Sequence, residues 1–326
     1  MNRRHVILVG ATWPFLAWVD VVRAQPSESA EKPVRVGIFR FGQPETAPSY
    51  KAFVDAMREL GWTEGRNVIY DRVYTEDQAR VPALASELVA RRPDLVYVNT
   101  NGTAHAVLAR TRTIPIIGFS MSSPVESGLV QSLARPGGNV TGIANIGWEL
   151  GGRRMQLLKE ILPMIRRVGV LAIRGTGTLD HMKLIEHAAG AGVNVVQALV
   201  REGELEPALA ILAENRVEAL LTYHHSFFLL HRKRILDFAM KHRIPVIGHR
   251  GQQTNDGALM SYSSNLLDQA RRSAQLADKV LKGTKPADIP VEQPTTFELV
   301  INMKTAKTLS ITIPQSILVQ ATRVIE

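Results

Sequence analysis

Residues 113–120 read TIPIIGFS, and residues 243–250 read RIPVIGHR. In each segment a proline begins a short apolar run that ends in a glycine and polar residues, which is typical of a buried strand leading into a loop. Two copies of one strand type, with Pro115 and Pro245 in matching places, predict an internal repeat. The extent of this repeat determines the fold.

The sequence before residues 113–120 alternates between apolar runs and amphipathic stretches. Predicted strands occupy residues 34–42 (VRVGIFRFG), 67–74 (NVIYDRVY) and 94–98 (DLVYV), and a stretch with helical spacing follows each of them. This β-α-β-α-β-α-β order predicts a parallel sheet with helices on both faces and right-handed crossovers.

The same order of elements begins again near residue 166. Residues 166–177 (RRVGVLAIRGTG) and 193–200 (VNVVQALV) are predicted strands, residues 205–235 contain a helix, a strand and a second helix, and residues 243–250 complete the unit. The similarity therefore extends well beyond the shared IPxIG motif. We predict an α/β fold of two similar, doubly wound parallel-sheet lobes.

Glycine-rich segments mark the predicted crossings between the lobes, which together form a multi-stranded hinge. The predicted boundaries are residues 34–143 with part of 258–285 for lobe one, residues 146–255 with part of 286–326 for lobe two, and residues 134–146 and 256–265 for two crossings.

The N-terminus is predicted to be an export signal. Residues 1–24 combine Arg3 and Arg4 with an apolar run and end in a small residue, Ala24, where cleavage is expected. The general and the twin-arginine export routes both fit this pattern. A membrane anchor is the alternative, but the apolar run is shorter than the ~20 residues that a span needs. Residues 25–33 form a polar leader, and the expected location is the periplasm.

Composition excludes several classes of site. The chain has no cysteine, so disulfides, thiolate metal sites and cysteine nucleophiles are ruled out. Its net charge of +9 is dispersed in pairs such as Arg91-Arg92 and Arg153-Arg154, and only 6% of its residues are aromatic. A nucleic-acid surface would concentrate basic and aromatic residues in one stripe. We therefore interpret the pairs as solvated helix faces and expect no nucleic-acid partner.

Ligands of open α/β sheets bind beyond the carboxyl ends of the strands. The loops at those ends are residues 40–43 (RFGQ), 99–104 (NTNGTA) and 119–124 (FSMSSP) in lobe one, and 174–178 (RGTGT), 223–228 (YHHSFF) and 248–252 (GHRGQ) in lobe two.

The NTNGTA loop is the strongest candidate for binding an anion. Gly102 is expected to permit a tight turn, and Thr103 to cap the helix that follows. The free amides at that helix start could hold a carboxylate together with the side chains of Asn101 and Thr103. Ordinary helix capping with bound water is an equally good interpretation.

The FSMSSP loop offers Ser120 and Ser122 hydroxyls next to Met121, an adaptable apolar side chain. GFSMS differs from the nucleophile elbow G-x-S-x-G because Ser122 replaces the second glycine, and no triad partners are evident. We expect these residues to support a ligand and not to form a catalytic site.

The second wall of the cleft is predicted from lobe two, with Phe41 contributing from lobe one. Tyr223, Ser226 and Phe227 are expected to line the pocket for the ligand side chain. Arg250 ends a predicted strand, where a charge meets either solvent, the preferred partner, or an acidic ligand, and it is included among the candidate ligand-binding residues.

Two further sites were weighed on the sequence. Arg40, at another strand end, has the same two alternatives, with solvent preferred. His224, His225 and His231 resemble metal ligands in spacing, but adjacent strand residues point to opposite faces and no carboxylate cluster accompanies them. We expect no metal, no cofactor and no enzymatic activity.

Longer segments carry a resemblance to a known family. They include AFVDAMRELGWTEGRNVIYDRVY (52–74), RPGGNVTG (135–142) and PADIPVEQPTTFELVIN (286–302). With these segments the chain resembles bacterial ABC-transporter substrate-binding proteins related to tryptophan- and aromatic-amino-acid-binding proteins. The resemblance covers most of the chain after the leader.

The resemblance implies a type I periplasmic-binding-protein fold with two lobes and three crossings. It implies a soluble, monomeric receptor that closes by hinge motion around a small solute, often an amino acid, and delivers it to an inner-membrane ABC permease. A sensory ligand-binding module that reports to a membrane signalling protein is the alternative.

Overall fold

The computed structural model describes residues 32–42, 46–147, 149–173, 178–200 and 204–326. The predicted signal peptide, residues 1–24, lies outside these ranges. Within them, no helix combines the length and the apolar character that crossing a membrane requires.

The first sheet contains five parallel strands in the order β2-β1-β3-β4-β5. Its strands are β1 (Val34–Phe41), β2 (Val68–Thr75), β3 (Leu95–Val98), β4 (Ile116–Ser122) and β5 (Val140–Asn145), and the helices between them are α1 (Pro48–Glu59), α2 (Val81–Ala90) and α3 (Asn101–Leu108).

The second sheet contains seven strands in the order β7-β6-β8-β9-β10-β11-β12. Its strands are β6 (Arg167–Ile173), β7 (Asn194–Val200), β8 (Ala219–Thr222), β9 (Val246–Gly248), β10 (Met260–Ser264), β11 (Phe297–Asn302) and β12 (Arg323–Ile325). The remaining helices are α4 (Gly151–Ile161), α5 (Thr178–Ala189), α6 (Leu205–Glu214), α7 (Ser226–Leu230), α8 (Arg232–Lys241), α9 (Gly251–Asn255), α10 (Leu266–Leu281), α11 (Met303–Leu309) and α12 (Gln315–Gln320).

The predicted repeat is confirmed by this topology. The first five strands of the second sheet repeat the spatial order of the whole first sheet, and their pairings are all parallel. Strand β11 then adds antiparallel to β10. The TIPIIGFS and RIPVIGHR segments form β4 and β9, which occupy the same place in the two sheets.

Apolar burial explains why these segments form strands and helices. Strand β3 is buried at all four residues, as expected for a parallel strand covered on both faces. Helix α1 buries Tyr50, Phe53 and Met57 on one side, and the Phe53 ring stacks on Tyr97 of β3 with 4.0 Å between ring centroids. The helix thus packs its apolar stripe directly on the sheet.

The crossings are shorter than the sequence indicated. Residues 134–146 and 256–265 were predicted to run between the lobes. They contain β5 and β10, which are the last strands of the two repeats in chain order. Their apolar residues are buried within the sheets, and the chain leaves each sheet only after Asn145 and Ser264.

The C-terminal residues return to both lobes. Helix α10 follows β10 but packs on α1 of the first lobe, where Trp62 Nε1 donates to Asp278 Oδ1 at 2.9 Å. A third crossing then runs beside β5: Ala144 N donates to Glu292 O at 2.7 Å, and Glu292 N donates to Gly142 O at 2.9 Å. Strands β11 and β12 complete the second sheet.

A close approach between β4 and β5 depends on glycine. The pairing shifts between Gly118 and Met121, so β4 carries one extra residue. Opposite this bulge, Gly142 has φ +146°, and a Cβ there would lie 2.1 Å from the carbonyl oxygen of Gly118. Both the dihedral angle and the contact exclude a side chain.

We predict that Gly142→Ala lowers the free energy of unfolding by about 3 kcal/mol or more, because it adds backbone strain to a clash that no side-chain rotation relieves. Urea unfolding followed by circular dichroism measures the loss. Gly138→Ala, four residues earlier, is the matched control, since a Cβ there has no atom within 4 Å. Equal stability of the two variants would contradict this account of the bulge.

Candidate ligand-binding site

The carboxyl ends of the two sheets meet at the crossings. Asn145 ends β5 of lobe one, and its Nδ2 lies 3.3 Å from a ring nitrogen, Nε2, of His224, which follows β8 of lobe two. The Oδ1 of Asn145 accepts a hydrogen bond from Gly147 N at 2.6 Å. This contact brings the carboxyl end of one strand in each lobe together, at the edge where such sheets bind ligands.

Asn99 fixes the first wall of this region. Its Oδ1 accepts from Phe41 N, and its Nδ2 donates to Phe41 O, both at 2.9 Å. These two bonds join the ends of β1 and β3 and hold the partly exposed Phe41 ring at the sheet edge.

Asn101 fixes the neighbouring part of the same wall. Its Nδ2 donates to Ser122 O at 2.7 Å, and its Oδ1 accepts from Ser122 N at 3.0 Å. The side-chain amide is thus paired at both ends, which leaves its backbone N–H for a ligand. The Ser122 side chain is exposed.

The start of α3 differs from the expectation in two respects. Thr100 is the cap: its Oγ1 accepts from Thr103 N at 3.1 Å, while Thr103 Oγ1 accepts from Thr100 N at 3.2 Å. Thr103 therefore completes a capping box and is buried, and Gly102 lies inside the helix without a tight turn. Among described residues, the amides of Asn101 and Gly102 have no acceptor.

The end of β4 is strained. Ser120 has φ +60°, unusual for a residue with a side chain, and its buried Oγ has no hydrogen-bond partner within the described ranges. Met121 is 1% exposed in the hydrophobic core, with its side chain against Gly118, so the prediction that it offers an open apolar surface is wrong. The extra residue of the bulge turns Met121 inward and changes the alternation that the sequence implied.

Aromatic residues form part of the second wall. Phe227 is partly exposed and packs 4.2 Å from the ring of His231, whereas Phe228 is fully buried. Tyr223 is buried, and its ring centroid lies 4.7 Å from that of His181 in an edge-on arrangement. Ser226 begins α7, but the prediction for its side chain falls outside the described part of the structure.

The three histidines considered as metal ligands have different surroundings. His224 contacts Asn145 at the crossing, the Nδ1 of His225 accepts from Phe227 N at 3.1 Å, and the His231 ring packs at a tilt against that of Phe227. In the described ranges, no three His, Cys, Asp or Glu side chains are grouped as a metal site.

Arginine burial is the main feature that sequence reasoning missed. Arg154 on α4 is 1% exposed, and its Nε donates to Tyr262 O at 2.8 Å. Its neighbour Arg153 is partly exposed, whereas both were predicted to be solvated. Helical spacing could have revealed the burial of Arg154, because this residue lies on the same buried side of α4 as Leu158 and Ile161.

Arg40 and Arg250 also meet more than solvent. Arg40 is 3% exposed, and its guanidinium lies 4.9 Å from the ring centroid of Tyr50. The prediction that Arg40 is solvated is therefore wrong. Arg250 is partly exposed and precedes α9.

The electrostatics of lobe two are dominated by the buried Arg154 and the partly exposed Arg250. Burial lowers the pKa of Arg154 to about 9, with Arg250 adding repulsion, and burial lowers the pKa of Arg250 to about 10. Both arginines stay charged at neutral pH. Burial, followed by Arg250 and Arg154 charge, holds the pKa of His224 well below its usual value.

His249 is buried beside this group. Its Nδ1 lies 3.0 Å from Thr222 Oγ1, its backbone N donates to Gln253 Oε1 at 2.9 Å, and its ring centroid lies 5.2 Å from that of His224. Burial first, and then His224 and Arg154, hold the pKa of His249 well below its usual value. The ring is therefore neutral in the folded protein.

We predict that Asn101→Ala lowers the free energy of unfolding by about 1–2 kcal/mol, because Ser122 N and O both lose a partner. Thermal unfolding measures this change. Ser122→Ala is the matched control, since the bonds use only the Ser122 backbone. Destabilisation by Ser122→Ala as large as that by Asn101→Ala would contradict this role.

We predict that stability falls as pH drops below about 6.5, the ordinary histidine value. The unfolded chain then binds a proton that buried His249 excludes, so each pH unit removes up to about 1.4 kcal/mol for this residue. Urea unfolding at pH 7.5, 6.5 and 5.5 measures the slope. His249→Gln should flatten it, and an unchanged slope in this variant would contradict the assignment.

Comparison with known proteins agrees with this architecture. Residues 40–325 match the family of ABC transporter substrate binding proteins. The tyrosine-binding protein of Clostridioides difficile strain R20291 is 26% identical over 285 residues, which cover 86% of this chain and 82% of that protein.

Two solved structures show the same fold. The ABC domain in complex with L-Trp from Streptococcus pneumonia has a TM-score of 0.81, and a conserved domain protein from Vibrio cholerae has a TM-score of 0.82. Each is 26% identical and covers 90% of this chain and 100% of its own. The chain belongs to the family of ABC transporter substrate-binding proteins.

Proposed function

We propose that this protein is the periplasmic solute receptor of an ABC importer, and that it binds an amino acid or a related carboxylate between its lobes. The observation that carries the proposal is the meeting of both sheets' carboxyl ends at the crossings, in a chain that matches the family over residues 40–325. Hinge motion at the crossings closes the lobes, and an inner-membrane permease binds the closed form.

The start of α3 supports binding of the ligand carboxylate. The backbone amides of Asn101 and Gly102 are the first two of the helix, where the helix dipole favours an anion. Gly102 is exposed and presents no side chain that would cover them. The paired Asn101 side chain and the capping box hold these amides in place.

Ser120 is a second group for the ligand carboxylate. Its left-handed backbone holds a buried hydroxyl that lacks a described partner. Strain of this kind collects at functional sites, where the surrounding structure stabilises it. The exposed Ser122 follows at the same strand end.

The aromatic residues support a pocket for an apolar or aromatic ligand side chain. Phe41 and Phe227 are both partly exposed, one in each lobe, and Tyr223 lies beneath with its ring against His181. Offset or edge-on packing against a ligand ring suits such residues. The relatives named above bind tyrosine or L-Trp, which agrees with this class of ligand.

A thermal-shift panel of amino acids and related carboxylates tests this proposal, on the chain from Gln25 onward. A true ligand at 100 times its Kd should raise the free energy of unfolding by about 2.7 kcal/mol, because it binds only the folded state. Aromatic amino acids should give the largest shifts, and the decarboxylated amines are the control for the carboxylate.

A flat panel with folded protein would count against a solute receptor for this class. With a ligand in hand, cross-linking of the loaded receptor to inner membranes should recover a permease. Recovery of a signalling kinase in its place would establish the sensory alternative.

A further inference from the structure

We propose that lobe two contains a second anion subsite, formed by Arg154 and Arg250, which binds an oxyanion of the solute distinct from the carboxylate at α3. The preferred solute then carries two acidic groups, the second being a carboxylate or a phosphate. This inference rests on the proposed function for the place of the solute, and it defines the solute class more narrowly.

The first observation is the unpaired state of Arg154. A guanidinium has five N–H donors and stays charged. Only the Nε of Arg154 has a partner, the carbonyl of Tyr262, while Nη1 and Nη2 are buried and have no hydrogen-bond partner among the described residues. A buried charge without a counter-charge is strongly destabilising, so a group that is absent from the chain itself is expected there.

The second observation is the proximity of another cation. Arg250 is the first charged group, after burial, that disfavours the charge on Arg154. Within the described ranges, Arg250 forms no ion pair, and its nearest interacting carboxylate, Glu298, lies on β11 opposite Ser263. The strand pairing agrees with this proximity, because Arg154 contacts Tyr262 of β10 and the preceding residue, Ser261, pairs with Gly248, two residues before Arg250. Two neighbouring arginines without a shared acid are the arrangement that binds carboxylate or phosphate oxygens.

The neighbouring histidines do not supply the missing charge. His224 and His249 lie beside the two arginines, and both are neutral. The subsite therefore keeps a net positive charge: among the described residues no carboxylate acts on Arg154, and Glu298 on β11 is the one that acts on Arg250. Arg250 is partly exposed, so the subsite opens toward the cleft at this residue.

The location of Arg154 links the subsite to the crossing. Arg154 lies in the first turn of α4, which begins six residues after β5 ends at Asn145. Arg250 follows β9. An oxyanion that bridges both guanidinium groups joins the helix after the first crossing to the centre of the second sheet.

Matched acid and amide ligands test the subsite by isothermal titration calorimetry. The pairs are L-glutamate with L-glutamine, and 4-carboxy-L-phenylalanine with 4-carbamoyl-L-phenylalanine. For at least one pair, the acid should bind the wild-type receptor 10-fold or more tightly than its amide. The ratio of acid affinity to amide affinity should fall to about 1 in Arg250→Gln and in Arg154→Gln. It should be unchanged in Arg153→Gln, which alters the partly exposed neighbour of Arg154.

A second measurement uses anions alone and the unliganded protein. Inorganic phosphate and acetate are compared with sodium chloride at equal ionic strength in thermal unfolding. A shift that Arg250→Gln abolishes supports the subsite, and the responding anion identifies phosphate or carboxylate. Arg154→Gln should raise the melting temperature of the unliganded protein, because it removes an unpaired buried charge. If Arg154→Gln fails to fold, Arg250→Gln decides alone.

The outcomes separate this inference from the proposed function. Tight binding of neutral amino acids with no preference for the acid, and no specific shift by phosphate or acetate, would overturn the second subsite and leave the receptor function intact. An anion shift that depends on Arg250, without binding of any amino acid, would support the subsite and contradict the amino-acid class.

Discussion

The backbone pairing between Glu292 and β5 is the constraint on which the arrangement of the lobes depends. Two hydrogen bonds, from Ala144 N to Glu292 O and from Glu292 N to Gly142 O, bring the third crossing beside the strand that leads into the first. Strand β11 follows this crossing along the chain and pairs with β10 of the second sheet. The third crossing is therefore tied to the first sheet by backbone hydrogen bonds at Glu292 and leads directly into a strand of the second. On its other side, β5 approaches β4 closely, which only glycine at position 142 permits.

This constraint determines where polar groups gather. With the crossings held at the carboxyl ends of both sheets, Asn145 at the end of β5 in lobe one contacts His224, which follows β8 in lobe two. Lobe one offers amides and hydroxyls at these ends, whereas lobe two offers arginines. The two walls therefore suit different parts of a ligand, although they derive from one repeated pattern.

The sequence predicted the features that depend on local periodicity. The order of strands and helices followed from the apolar runs and the helical spacing. The equivalence of β4 and β9 followed from the repeated IPxIG segment. Features that depend on distant contacts were missed. The bulge that buries Met121 depends on the pairing with β5. The cap of α3 was also misassigned, because Thr100 and Thr103 are the same residue type and bond each other reciprocally at the helix start. The apolar stripe of α4 did contain Arg154, but a charged pair is usually solvated, so the neighbour Arg153 misled the interpretation.

The buried arginines carry the argument from structure to ligand. A solvated arginine needs no partner in the protein, because water stabilises its charge. Arg154 is buried, and two of its nitrogens have no hydrogen-bond partner among the described residues, so its charge is destabilising until an anion binds. A solute that supplies the missing charge binds through a contact that the empty receptor cannot satisfy alone. A ligand shifts a conformational equilibrium only by its differential affinity for the two states, so an oxyanion held by lobe two favours closure only through the contacts that the same solute also makes at α3 of lobe one. The arginine pair would then select the solute, and the carboxylate at α3 would couple its binding to closure.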